Sequence, residues 1–250
     1  MKFFKFYQDY ITSQLKELPN IDLSNKCILQ CVYCQRQSIF RGKPQGRDKV
    51  KRSQDMPFGD FKKVCKSFRG INLCGQLSDP IYHPNFIKYL QHASDHDKKI
   101  HIHTNGSGKK KSFWKQAFSI PRTIEWTFGI DGLDQKTCNL HRIGQNFHQS
   151  FKAMLLGSQS HHKILWQFIP FQHNEHQIPK AMDIARKHKI RFLLLKSNRW
   201  TQNPIYVDNK EIIPDWIQPP KDTSLSAPTI EHVVRDLRIF SKKKKTWIQK

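Results

Sequence analysis

Short, mostly apolar runs alternate along this chain with stretches in which apolar residues recur at every third or fourth position. Runs at 20–24 (NIDLS), 71–75 (INLCG), 99–104 (KIHIHT), 124–131 (IEWTFGID), 164–170 (ILWQFIP) and 191–196 (RFLLLK) predict six strands. They are rich in Ile, Leu, Phe and Trp and end in polar, Gly or Pro residues, as strands do. Between them, DFKKVCKSF, NFIKYLQHA and PKAMDIARKHK carry helical spacing. Strand, loop and helix in repeated order predict an α/β fold with a parallel sheet and right-handed crossovers. After Lys196 the periodicity stops; 197–229 contains several Pro and reads as surface chain. PTIEHVVRDLRIF (228–240), opened by Pro, reads as a last helix.

Composition narrows the class. A chain of 250 residues suits one domain with an extension, and 37% hydrophobic residues with 17 Phe and 6 Trp suit a packed core. No apolar run approaches the roughly 18 residues of a membrane span. The N-terminal MKFFKFYQDYITSQ is interrupted by Lys5, Gln8 and Asp9, unlike a signal peptide. The expectation is a cytoplasmic protein with no membrane partner, in which structural disulfides are disfavoured. Lys and Arg number 43 against 20 Asp and Glu, a formal +23, so polyanions should be attracted. A generally basic, solvated surface accounts for the same count. Part of the charge lies in SKKKKTWIQK, read as a flexible basic tail.

The strand ends hold the chemistry. In folds of this kind, sites collect where strands finish. The ends here read CGQLSDP, TNGSG, IDGL, QFIPF and KSNR, a vocabulary that ordinary turns also use. Turn chemistry does not explain NKCILQCVYC, which places Cys27, Cys31 and Cys34 in one loop. A structural zinc site would show a second Cys or Cys/His pair further on, and none follows. A redox dithiol would leave Cys27 unexplained. An iron–sulfur cluster with three protein thiolates and one open iron uses all three. Cys65, Cys74 and Cys138 read as small core residues.

Cys-x3-Cys-x2-Cys with Tyr33 just before the last cysteine resembles the radical S-adenosylmethionine (radical SAM) superfamily. The likeness runs from about Ile21 to Arg199 through TNGSG, FGIDGLDQKTCNLHRIGQNF and FIPFQHNEHQIPKAMDIA. These segments are particularly similar to uncharacterised members from viruses of marine bacteria, which would place the protein in a host cytoplasm. The resemblance implies a partial (β/α)6 TIM-like barrel over 1–199, with an irregular C-terminal extension and basic tail over 200–250. It also implies a 4Fe–4S cluster and S-adenosylmethionine as cofactors, reductive cleavage to a 5′-deoxyadenosyl radical, and an external one-electron donor such as a flavodoxin or ferredoxin.

Carried over by position, Cys27, Cys31 and Cys34 match the cluster ligands, and Tyr33 the aromatic near the adenine. CGQLSDP aligns with the family's Gly-Gly-Glu-Pro segment but lacks its glutamate. Gly75 and Pro80 remain, and Gln76, Ser78 and above all Asp79 become the candidates for the methionyl amine. Asn105 and Asp131 fall where the family contacts ribose and the methionyl part. Arg142 is positioned to pair with the carboxylate through its fork of donors. HNEH (173–176) reads as a helix start capped by Asn174, and His101 and His103 share one strand face. No cysteine follows Cys138, so a single cluster is expected. Gln167, Lys196 and Arg199 could reach a substrate. RNA or a ribonucleoprotein component leads as substrate on charge grounds, with a peptide or phosphorylated metabolite close behind. The contrasting class is a catalytically silent iron–sulfur protein that binds nucleic acid.

Overall fold

The computed structural model describes residues 18–34, 36, 55–75, 77–197 and 215–226, together with the strand backbones at 205–207, 210–212, 235–236, 238–241 and 246–249. Five parallel strands make the body of the sheet: β1 (Gly70–Leu73), β2 (Lys99–Thr104), β3 (Glu125–Gly129), β4 (Lys163–Phe168) and β5 (Arg191–Leu195). They lie in sequence order, each hydrogen-bonded to the next. This is the α/β architecture of a partial TIM-like barrel.

The crossovers follow the chain pattern. Helix α1 (Phe58–Ser67) precedes β1, α2 (Phe86–Asp95) and α3 (Lys111–Phe118) flank β2, α4 (Gln135–His141) and α5 (Phe147–Ser158) link β3 to β4, and α6 (Ile178–Lys187) leads into β5. Helix α2 buries Phe86, Tyr89, Leu90 and Ala93, one face at helical spacing. Alternation within the strands sorts the two faces of the sheet. Ile100 and Ile102 of β2, Trp126 and Phe128 of β3 and Trp166 and Phe168 of β4 go to the helices and form the core. The opposite face carries polar residues: Arg191 donates to Glu125 at 3.1 Å, and His101 lies 3.9 Å from the same carboxylate. The core is aromatic-rich. Trp114 packs at 5.9 Å on Trp126 and 5.5 Å on Phe128, contacts worth about 0.5–1.5 kcal/mol each beyond burial.

Several expectations are corrected. The strand expected at 20–24 is a single parallel bridge, Asn20 to Asn72, with Ile21 N–H donating to the Asn72 carbonyl at 2.9 Å. The side chains of Asn20 and Asp22 accept from Cys74 N and Leu77 N, so their polar groups serve the neighbouring loop rather than a longer ladder. The helix expected at 228–240 gives way, where described, to strands β8 (Arg235–Asp236) and β9 (Arg238–Ser241). Strand β8 runs antiparallel to β5 and covers an edge that would otherwise expose unpaired amides. The terminal run is not simply a tail: β10 (Thr246–Gln249) pairs antiparallel with β9. Its 242–245 lie outside the described residues. Strands β6 (Ile205–Val207) and β7 (Lys210–Ile212) form a hairpin within the expected surface stretch. Asn174 does not cap a helix with its side chain; the amide turns inward to the carbonyls of Asp131 and Ile169, both at 2.9 Å. Cys65 and Cys138 are buried as expected, whereas Cys74 is only half-buried.

Candidate functional site

The cysteine loop is fastened over the C-terminal ends of the strands by backbone bonds. Gln30 N–H donates to Ile143 O at 2.9 Å and Val32 N–H to His141 O at 2.8 Å, a strand-like pairing with the end of α4. Lys26 O accepts from Asp79 N at 2.9 Å, and Arg36 donates to the carbonyls of Asn25 and Leu77. The loop then turns sharply: Tyr33 adopts a left-handed φ of 58°, and Cys34 N–H closes back on Cys31 O at 3.1 Å. Val32 and Tyr33 pack with Ile169, Phe171, Leu195 and Ile217, a small apolar cluster separate from the main core. That packing fixes the turn from the side of β4 and β5.

The three thiols share one neighbourhood, close enough for ionisation of one to oppose ionisation of the next. Burial, and then the carboxylate of Asp79, pushes the Cys27 thiol up to about 12. Burial also raises Cys31, against the pull of Arg142. The thiols of Cys27 and Cys31 are therefore held in the protonated form in the absence of a nearby cation. Among the described residues, no three His, Cys, Asp or Glu side chains meet closely enough for a single ion.

The floor beside the thiols is a polar network drawn from several strand ends. Asp79 is buried, and its Oδ2 accepts from Thr104 Oγ1, Asn105 N and Asn105 Nδ2 at 3.0, 2.7 and 2.6 Å. Among the described residues its Oδ1 accepts only from Ile81 N, at 3.3 Å. Burial pushes this carboxyl up to about 6, although those donors hold it down. Asn105 is thereby pinned beside Cys27, its amide 3.9 Å from Sγ. Gly75 sits at a φ of 56°, where a side chain would collide with the Ser78 carbonyl. Ser78 itself donates to Asp22 at 2.8 Å. Gln76 and Arg199 lie outside the described residues.

On the other side, Asp131 is fully buried two residues beyond β3. Its Oδ2 accepts from His141 Nδ1 at 2.7 Å and Arg142 Nε at 2.6 Å, and its Oδ1 from Ile169 N at 2.8 Å. Burial alone would raise this carboxyl, but Arg142 and then His141 hold it well below the usual carboxylate range. Asp131 therefore spends its oxygens on the protein, and the residue offered outward is Arg142. The guanidinium rests on the bare α-carbon of Gly129; a Cβ there would lie 2.5 Å from Nη2.

Three contributors escaped sequence reasoning. Tyr82 donates to Ser107 O at 2.9 Å with Asn105 Oδ1 at 3.2 Å, and Gln145 donates to the carbonyls of Asn105 and Gly129, both at 2.9 Å. His141 completes the Asp131 pair. Each acts across distant segments, so no local spacing announces it. Gln167 is half-buried on β4, and Lys196 follows β5 directly.

Three solved structures share this arrangement of chain. SuiB of Streptococcus suis bound to its precursor peptide SuiA matches with a TM-score of 0.57 and 17% identity, over 75% of this chain and 42% of that one. SuiB bound to S-adenosylmethionine matches at 0.55 and 16% identity, over 75% and 44%. The enzyme anSMEcpe with bound AdoMet matches at 0.50 and 17% identity, over 68% and 48%. This chain shares its fold with these radical SAM proteins. This chain spans less than half the length of each of those radical SAM proteins. No family model matches the sequence, and no curated protein matches it. Among the described residues, no helix is long and apolar enough to cross a membrane.

Proposed function

We propose that the chain is a radical SAM enzyme, with Cys27, Cys31 and Cys34 as ligands of a 4Fe–4S cluster and S-adenosylmethionine as the second cofactor. The observation that carries this reading is the placement of three mutually close thiols at the C-terminal mouth of this fold. When bound, the pair supplies a 5′-deoxyadenosyl radical that abstracts hydrogen from a substrate.

The chain's own residues have definable tasks. Arg142, held through Nε by Asp131 and near enough to Cys31 to pull on its thiol, has terminal amino groups suited to the carboxylate of a methionyl group. Asp79 Oδ1, engaged by one long hydrogen bond, keeps acceptor capacity for the methionyl ammonium in place of the missing glutamate. Asn105 and Tyr33 border the same space from β2 and the cysteine loop, suited to ribose and adenine. The Tyr33 cluster excludes water from the β4–β5 side.

For the substrate, the +23 charge supports RNA or a ribonucleoprotein component, with a peptide or phosphorylated metabolite next. A flavodoxin- or ferredoxin-like protein would supply the electron. The motif likeness to viral members supports a host cytoplasm as the working compartment. The test is anaerobic reconstitution followed by reduction with S-adenosylmethionine. Release of 5′-deoxyadenosine, lost in Cys27→Ala, Cys31→Ala and Cys34→Ala but kept in Cys65→Ala, is expected. Full iron loading in Cys31→Ala would sink the assignment. Iron bound without any cleavage would favour a silent iron–sulfur protein that binds nucleic acid.

A further inference from the structure

Helix α2 finishes on two histidines one turn apart, His92 and His96, in the stretch LQHASDH. Residues four apart share a helix face, and these rings stand with their centroids 4.0 Å apart. The backbone is still helical there, since His96 N–H donates to His92 O at 3.2 Å. Helix α2 leads into the start of β2, so the pair lies at the end of the sheet opposite the cysteine loop.

Each ring is held in place. Phe58 and Phe61 meet the half-buried His92 ring edge-on, at 5.2 and 6.2 Å. His96 Nδ1 lies 2.8 Å from His92 O. A carbonyl oxygen only accepts, so Nδ1 carries the proton and Nε2 of the neutral ring keeps its lone pair. A backbone carbonyl behind the far nitrogen is the support that metal-bound imidazoles commonly have. Burial, and then His96 and Lys62 of α1, favour the neutral form of His92, while Asp95 opposes them. The carbonyls at the end of a helix favour a cation close by.

Two imidazoles bound to one ion at about 2.0–2.1 Å set their ring centres about 4.5–5 Å apart. The observed pair needs only a slight opening to chelate. His161 and His162 are the contrast: their centroids lie 4.2 Å apart, but His162 is buried and its Nδ1 accepts the Ile124 N–H. Among the described residues no third His, Cys, Asp or Glu joins His92 and His96, so water would complete the coordination. Imidazole nitrogen selects late first-row ions over Mg²⁺ and Ca²⁺, which take oxygen.

We propose that His92 and His96 form a chelating site for a divalent transition-metal ion of the Ni²⁺, Cu²⁺ and Zn²⁺ class. The site shares no residue with the cysteine loop, so it stands whether or not the chain cleaves S-adenosylmethionine.

Ni²⁺ is the probe, added below stoichiometry to full-length protein reconstituted anaerobically. Its paramagnetism broadens the ring-proton resonances of the histidines that bind it, which locates the ion directly. The resonances of His92 and His96 are assigned by their loss in His92→Gln and His96→Gln. Both should broaden before those of the other histidines. His96→Gln, on an exposed position, should weaken binding seen at His92 by roughly a hundredfold, the gain that a second tethered ligand brings. His148→Gln, also exposed, should leave binding unchanged, and Mg²⁺ should not perturb the pair. Even broadening of all exposed histidines, or unchanged affinity in His96→Gln, overturns the proposal even if His92→Gln fails to fold. Displacement of the same two resonances by Mg²⁺ would also overturn it, leaving only the field of a helix end.

Discussion

Arg142 grips Asp131 through Nε at 2.6 Å and so leaves its two terminal amino groups free of that carboxylate. Asp131 is fully buried and Arg142 half-buried, and among the described residues the acid has His141 as its second charged-type partner. Arg142→Gln should therefore destabilise the fold by about 3–5 kcal/mol, the penalty for stranding a buried charge. Arg142→Lys keeps the charge but loses the fork, so it should retain most stability while binding S-adenosylmethionine about tenfold more weakly. Chemical denaturation and calorimetric titration separate the two effects. Equal affinity in Arg142→Lys would assign the guanidinium to structure alone.

Gly129 is the space into which that guanidinium fits. Gly129→Ala should push Arg142 off its seat and cost about 1–3 kcal/mol, as overpacking does. Affinity for S-adenosylmethionine should fall while iron content stays level. Gly59→Ala is the contrasting control, since a Cβ there meets nothing within 4 Å inside α1. It should raise the melting temperature slightly, because alanine is the better helix residue.

Asp79 joins the loop after β1 to the end of β2 through three donors on one oxygen. In Asp79→Asn, one side-chain position becomes a donor facing donors. A loss of about 1–3 kcal/mol is expected from that mismatch. If Asp79 also meets the methionyl ammonium, affinity for S-adenosylmethionine falls by about tenfold with the cluster intact. Unchanged affinity would leave Asp79 as a loop clasp and move attention to Gln76 and Ser78.

His162 offers a stability test remote from the site. Burial, and then its neighbour His161, pushes this imidazole down from 6.5 to about 4, while its Nδ1 accepts the Ile124 N–H at 3.2 Å. The folded state thus holds it neutral where the unfolded chain would protonate it. The stability it provides is complete above pH 6.5 and is lost as pH falls toward about 4. The loss should be on the order of 1–2 kcal/mol after allowance for solvent screening. Thermal melts across that range should show the decline, and His162→Asn, still able to accept the amide, should flatten it.

The parallel strands were legible because buried strands are written as unbroken apolar runs, as in ILWQF and RFLLL. The first was over-read: Asn20 and Asp22 look like strand residues in alternation but turn their oxygens to loop amides. Strands β8 and β9 were missed because VVRDLRIF fits helical spacing as well as strand alternation, and only the uncovered edge of β5 decides between them. Within the site, the cysteines announced themselves by spacing. The polar residues around them did not, since Tyr82 and Gln145 are recognised only by carbonyls far along the chain.

The two backbone hydrogen bonds from Gln30 to Ile143 and from Val32 to His141 hold the cysteine loop in shape through the polypeptide itself. Iron and sulfide would then enter a mould rather than fold one. Most of the ordering entropy is spent when the barrel forms, so assembly should run fast and nearly without change in far-UV circular dichroism. By the same logic, loss of a bound cluster to oxygen should leave a protein still competent to be recharged.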